Sequence, residues 1–150
     1  MQFAKEKIDG LQQELKPLLQ AHWEQIALNQ DKIKLNPAWD EYIKLNNLGV
    51  IHFYTVRDNK ELVGYFCVVA TKSLHYQDHI FASCDIIYVK KDKRAGMTGY
   101  KLIDFAEKDL KKNGVSLLSI NTKTHAPFDS LLERMSYNQT ERLYTKYIGD

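Results

Sequence analysis

Between Tyr88 and Leu110, in YVKKDKRAGMTGYKLIDFAEKDL, an apolar strand-like run gives way to a helical pattern. The joint carries Lys90, Lys91, Lys93 and Arg94, then Gly96 and Gly99. The first turn of a helix leaves backbone N–H groups without partners. The helix dipole adds partial positive charge at the same end. Residues 95–99 are small or flexible apart from Met97, so a ligand can come close to the backbone. With Arg94 and the lysines, these features suit a phosphate or pyrophosphate. A glycine-containing loop with solvated lysines fits the same residues. The segment lacks Gly-Lys-Ser/Thr and G-x-G-x-x-G, which excludes the common nucleotide and dinucleotide loops.

A second group of residues could move protons. Asp85 interrupts the apolar run that leads into the joint, and period-two spacing puts it on the face of Ile87 and Val89. A carboxylate there needs a partner, whether its role is catalytic or structural. His75 and Tyr76 come just before that strand, with His79 in the same loop. A neutral imidazole suits proton shuttling near neutral pH, and the pair could line an acceptor cleft. His79 reads as an ordinary surface histidine. Lys123 and His125 lie further on; solvated lysine is the plainer reading of Lys123.

The elements that position these groups follow from periodicity and punctuation. FAKEKI, Phe3 to Ile8, reads as a short strand. Asp9 with Gln12 predicts a capping box. Leu11, Leu15, Leu18, Leu19, His22 and Ile26 then recur at helical spacing. Pro17 predicts a kink or two helical pieces within residues 10–28. Asn36-Pro37 predicts a second helix start, with Trp39, Tyr42 and Ile43 as its apolar side and Gly49 as its stop. VIHFYTVR and ELVGYFCVVAT flank Asp58-Asn59-Lys60 as a hairpin, and FASCDIIYV forms the next strand.

After the joint, Gly99, Leu102, Ile103, Ala106 and Leu110 form one stripe of a helix, and Asn113-Gly114 ends it. VSLLSI predicts a buried strand, APFDSLLERM a short helix and TERLYTKYI a final strand. Trp23 and Trp39 read as packing anchors that at most shape a pocket. Tyr137, Tyr144 and Tyr147 read as strand and sheet-surface residues. The order β, α, α, β, β, β, α, β, α, β predicts an α/β or α+β three-layer domain spanning residues 1–150.

Composition narrows the classes further. The 150 residues carry 21 Lys+Arg against 19 Asp+Glu, a net charge of +2, too balanced to argue for nucleic acid. No apolar run has the length of a membrane span. Cys67 and Cys84 are too few for a disulfide framework or a metal site and read as reduced thiols in a cytoplasm.

Arg94-Ala95-Gly96-Met97-Thr98-Gly99 resembles the R/Q-x-x-G-x-G/A pyrophosphate loop of the GNAT N-acetyltransferase family. As in that family, the preceding strand ends at Val89, five residues ahead of Arg94, and Tyr100-Lys101-Leu102-Ile103 continues as its helix usually does. The element order also matches, with two helices ahead of the hairpin, so the resemblance covers nearly the whole chain. The chain also looks like small members encoded by tailed phages. The fourth motif position, usually glycine, is Met97, and Gly96 sits one residue early.

The resemblance implies a central mixed, mostly antiparallel sheet flanked by helices, and acetyl-CoA as co-substrate with no metal. It implies that Arg94 to Tyr100 grip the pyrophosphate, while main chain from Ile87 through Tyr88 to Val89 bonds the pantetheine arm. It makes Asp85 the candidate base for an amine acceptor of unidentified class that attacks directly in a ternary complex. It aligns His125 near a position where the family often has asparagine. Where a catalytic tyrosine usually follows, this chain has Leu132, leaving His125 or Tyr76 to supply a proton, or the thiolate to leave unassisted. A homodimer in a cytoplasm, a host's if phage-encoded, is the expected setting. A module that binds acyl-CoA without catalysis is the alternative, and a nucleic-acid-binding domain is the weakest.

Overall fold

Both faces of a central sheet are covered, which is why its middle strands are apolar almost throughout. The computed structural model describes residues Met1–Asp150. The strands are β1 (Gln2–Lys5), β2 (Ile51–Asp58), β3 (Glu61–Lys72), β4 (Ile80–Val89) and β5 (Val115–Ser119). They lie side by side in chain order, antiparallel except for the parallel pair β4–β5. The helices are α1 (Gln12–Ile26), α2 (Trp39–Asn47), α3 (Thr98–Lys112) and α4 (Asp129–Arg134). The mixed three-layer α+β architecture agrees with the sequence. No helix is long and apolar enough to cross a membrane.

Leu102, Ile103, Ala106 and Leu110 of α3, with Leu132 of α4, pack on Tyr54, Val56, Phe66 and Val68. On the opposite face, Leu11, Leu15 and Leu18 meet Phe53, Tyr65, Cys67 and Tyr88. Trp39, Tyr42 and Ile43 of α2 border that second cluster. Truncating a fully buried leucine such as Leu102 to alanine costs about 2–5 kcal/mol.

The β2–β3 hairpin turns at Asn59 and Lys60, whose φ angles are 48° and 72°. Left-handed backbone at both central positions gives the turn the twist that the two strands need. Val63 is an extra residue in the ladder, since Val56 pairs with Gly64 and Arg57 with Leu62. Its carbonyl accepts the Lys90 N–H at 2.8 Å, which fastens the exit of β4 to the hairpin.

Several predicted boundaries move. No capping box forms at Asp9: the Gln12 side chain accepts the Gly10 N–H at 2.8 Å, and α1 begins after Leu11. Pro17 lies within one continuous helix. In the second turn it removes a single backbone bond. The second helix begins at Trp39, two residues after Pro37, with no side-chain cap. β5 is half-exposed rather than buried, because it pairs with β4 alone. The expected last strand is absent, and residues 137–150 run without ladder partners.

Candidate functional site

β4 gains its special shape from two irregularities. It pairs with β5 only from Ile80 to Ser83, opposite Val115 to Ser119. From Cys84 to Val89 no strand lies on the side away from β3, so that length of edge is open. Just where pairing stops, β4 also bulges: Cys67 faces Ile86 and Val68 faces Cys84, leaving Asp85 as the extra residue. A bulge turns two neighbouring side chains the same way and re-aims them.

The bulge overturns the expected grouping of Asp85 with Ile87 and Val89. Cys84, Ile87 and Val89 face the α3 layer, whereas Ile86 and Tyr88 face α1 and α2. Asp85 sides with the second group. Its Oδ2 accepts a hydrogen bond of 2.5 Å from the Tyr42 hydroxyl on α2. Burial, then the bond to Asp85, holds the Tyr42 phenol far above its ordinary pKa, so it stays a donor.

At the other end of the open edge, a single turn of 3₁₀ helix (Lys91–Lys93) leads to α3. Gly96 adopts φ +78°, the left-handed backbone that glycine takes without strain. The early glycine therefore makes the turn, and Met97 follows with its side chain outward. No side chain caps α3. The N–H groups of Ala95, Gly96, Met97, Thr98, Gly99 and Tyr100 donate no hydrogen bond of ordinary geometry within the protein, and Gly96–Met97 form only a loose turn ahead of the helix. Gly99 serves packing, since a Cβ there would stand 3.2 Å from Leu131 on α4.

Three of the four cations at the joint are engaged within the protein. Lys90 pairs with Glu61, and Lys93 pairs with Asp58 at 3.0 Å, so both are tied to the hairpin. Arg94 donates from Nε to the Val89 carbonyl at 2.8 Å and from Nη2 to Gln25 at 2.9 Å. Its guanidinium lies 5.4 Å from the Tyr88 ring centre. Arg94 thus braces the turn against β4 and α1 while leaving Nη1 unengaged.

Beside Asp85 opens a cleft of about 680 Å³ between α1, the α1–α2 connection, Ile86, Lys123 and residues 145–149. His22 borders it, buried, with Nδ1 2.8 Å from the Tyr65 hydroxyl and its ring stacked on Tyr88 at 4.9 Å. Burial above all, helped by Arg94 and Lys123, pushes the imidazole down to about 4, so His22 is neutral at physiological pH. Cys84 is pushed up to about 12, chiefly by burial and further by Asp85, and Cys67 is raised for the same reasons. Neither thiol is a nucleophile at neutral pH.

The structure brings together Asp85, the open edge holding Ile87 to Val89, and the turn from Arg94 to Tyr100. It leaves His75 and Tyr76 apart. They sit in the β3–β4 connection, roughly 16 Å along β4 from Asp85 at the rise of an extended strand. Tyr76 packs on Phe81 there, and neither residue borders the cleft. His79 meets Ser116 at 2.8 Å. His125 is at the exposed tip of a small turn closed by a Lys123–Ala126 bridge, and only Lys123 of that turn borders the cleft. Leu132 is core.

Sequence reasoning assigned no site role to His22, Tyr42 or Gln25 and read Tyr147, which borders the cleft, as a sheet residue. For His22 the available signal was a polar side chain on the apolar stripe of α1. Tyr137 also leaves the sheet, donating to Glu107 at 2.6 Å.

No protein-family model and no curated protein matches the sequence. Solved structures do match over their full length. A ribosomal-protein-alanine N-acetyltransferase from Brucella melitensis biovar Abortus 2308 superposes with a TM-score of 0.74 at 19% identity, over 99% of this chain and 100% of that one. A GCN5-related N-acetyltransferase from Ralstonia eutropha JMP134 does so with 0.75 at 14%, over 99% of each. The fold is that of the GNAT acetyltransferases. A predicted acetyltransferase with acetyl-CoA from Clostridium acetobutylicum gives 0.71 at 6% identity, over 98% of this chain and 96% of that one.

Proposed function

We propose that this chain is an N-acetyltransferase that uses acetyl-CoA and a primary amine, bound together, with direct attack of the amine. One observation carries the reading: the run of unpaired amides at the head of α3 is continuous with the open edge of β4, and that edge begins beside Asp85. The likeness in fold to acetyltransferases supports it.

The residues present suit the co-substrate. The amides from Ala95 to Tyr100 and the free Nη1 of Arg94 would hold its diphosphate. Main-chain groups around Ile87 and Val89, with the Val89 carbonyl shared with Arg94 Nε, would bond the two amides of its pantetheine arm, as an added strand would. From Val89 back to Asp85 the edge spans about 13 Å, which leads such an arm toward the cleft. When bound, acetyl-CoA supplies an activated acyl carbon as a thioester.

The protein's own part is with the amine. An alkylammonium has a pKa of about 10.4 and must lose a proton before it can attack. Asp85 would accept that proton, directly or through water, and Tyr42 would fix the carboxylate while it does so. The amide bond forms as the thioester carbon–sulfur bond breaks, and with Tyr76 and His125 outside the cleft the thiolate leaves unassisted. Neutral His22 adds no competing positive charge beside the incoming ammonium.

The buried position of Leu132 favours a second reading, a module that binds acyl-CoA without turnover. The ion pairs of Lys90 and Lys93 weigh against a phosphate clamp for nucleic acid. Within the first reading we place the protein in a cytoplasm, where Cys67 and Cys84 stay reduced, that of a host cell if a phage encodes it, and as a homodimer.

Calorimetry with acetyl-CoA, followed by thiol release with amines, tests both readings. Binding with amine-dependent thiol release is expected. Binding without release over a broad amine panel supports the module, and no binding at millimolar ligand rejects both.

A further inference from the structure

The cleft beside Asp85 differs sharply from a polycation site in its lining. Leu19, Trp23 and Ile26 of α1 form one side, Ile33 and Leu35 of the α1–α2 connection another, and Ile86 the inner end. Ile33 is about half exposed at 52%, and Leu28 beside it stands at 49%. Large apolar side chains grouped around a concavity, rather than scattered, mark a place where an apolar partner is covered.

The charges sort the partner further. Asp85 is the only carboxylate that borders the cleft. Lys123 and Lys146 border it too, and Lys32 lies 4.7 Å from the ring centre of Tyr147 at its rim. His22, the remaining titratable side chain on α1 that faces the cleft, contributes no negative charge. One ammonium can therefore be matched at Asp85, and a second one within the cleft has Lys123 and Lys146 as its charged neighbours, while at the rim Asp150 accepts from the Tyr147 hydroxyl at 3.2 Å.

We infer that the acceptor is a monoamine carried on an apolar body, aromatic or branched aliphatic, and not a polyamine, an aminoglycoside or a lysine-rich segment. The inference names the acceptor class for the transferase proposed above and rests on it for the reaction alone. The amine sits at Asp85, its apolar body lies along Trp23, Ile33 and Ile86, and Lys123 and Lys146 turn away further positive charge. Discrimination of this kind is a difference between a fitting partner and a repelled one.

Two measurements test it. In a Trp39→Phe variant, Trp23 is the sole tryptophan, and its fluorescence is titrated with phenethylamine, spermidine and kanamycin, with and without coenzyme A. Thiol release is then measured with acetyl-CoA and the same amines. A Trp23 response to phenethylamine and a kcat/KM at least about ten-fold above spermidine and kanamycin are expected, the scale on which small changes in an apolar pocket discriminate. Ile33→Asn, at an exposed position, removes the apolar contact without adding charge and should lower kcat/KM for phenethylamine several-fold through KM while acetyl-CoA affinity holds.

Turnover that prefers spermidine or kanamycin overturns the acceptor class and leaves the transferase standing. A Trp23 response to phenethylamine without any acetyl-CoA binding supports the apolar-amine cleft and sinks the transferase. No response of Trp23 to phenethylamine in either condition, with no phenethylamine turnover, overturns the inference.

Discussion

At Asp85, a carboxylate, a phenol and a backbone irregularity combine, and the bulge is what lets Asp85 reach Tyr42 instead of the α3 core. We predict that Asp85→Asn lowers kcat about a hundred-fold or more, the usual worth of a positioned base. The loss should shrink as pH approaches the amine's own pKa, and acetyl-CoA affinity should hold; a loss equal at every pH would make Asp85 structural. Tyr42→Phe removes a charge-assisted bond and should cost about ten-fold in kcat. His22 yields a stability prediction. Its pKa is about 4 when folded against 6.5 otherwise, so the unfolded chain binds the extra proton. Its contribution is complete above about pH 6.5 and is lost as pH falls toward 4, at most about 3 kcal/mol. Urea midpoints measured across that window should fall more steeply than those of His22→Asn. Asp85 was legible in the sequence because a carboxylate within an apolar run is a chemical anomaly. His22 was not, because it occupies the helical stripe that leucines occupy, and nothing in residue spacing announces a bulge.

Among the elements, the β4–α3 joint was the most legible, since a strand, a glycine turn and an apolar stripe follow one another within local sequence. Its glycine was displaced from the motif, and the structure shows what each glycine does: the left-handed residue is Gly96, and a Cβ at Gly99 would press on the Leu131 side chain at 3.2 Å. Gly96→Ala should cost about 1–2 kcal/mol at that positive φ and weaken acetyl-CoA binding by disturbing the amides that follow. Calorimetry on the variant checks the second part, and unchanged affinity would detach the turn from ligand binding. Gly64 carries a different constraint. A Cβ there would lie 2.7 Å from the Tyr88 carbonyl oxygen and 2.8 Å from Val56 Cγ1. A backbone oxygen inside the sheet has little room to retreat, so Gly64→Ala should destabilise by about 1–3 kcal/mol. A thermal melt reads this directly. β5 was harder to read, because an apolar pentapeptide says nothing of how many neighbours will cover it. Burial of β5 depended on a final strand that did not form.

At the scale of the whole molecule, residues 145–149 border the cleft beside Asp85 instead of extending the sheet. Partial alternation in TERLYTKYI suggested a strand, but pairing is decided by a partner edge far away in sequence, which no local pattern specifies. Leu143, Tyr144 and Ile148 remain 78%, 83% and 88% exposed, so the segment removes little apolar surface from water. Tyr147 and Lys146 nevertheless border the cleft. Stability and the proposed acceptor binding are therefore expected to separate along the chain. The core is closed by Leu132, by Met135 and by Tyr137, whose hydroxyl reaches Glu107. Ending the chain after Tyr137 should lower Tm by less than about 4 °C, the shift that roughly 1 kcal/mol produces in a domain of this size. The same truncation should raise KM for phenethylamine several-fold and weaken the preference against spermidine, because Lys146 leaves with the tail. A fall in Tm well beyond that range would mean that the tail contributes to the folded core, and a change in KM could then no longer be assigned to the loss of the cleft wall on which the monoamine preference partly depends.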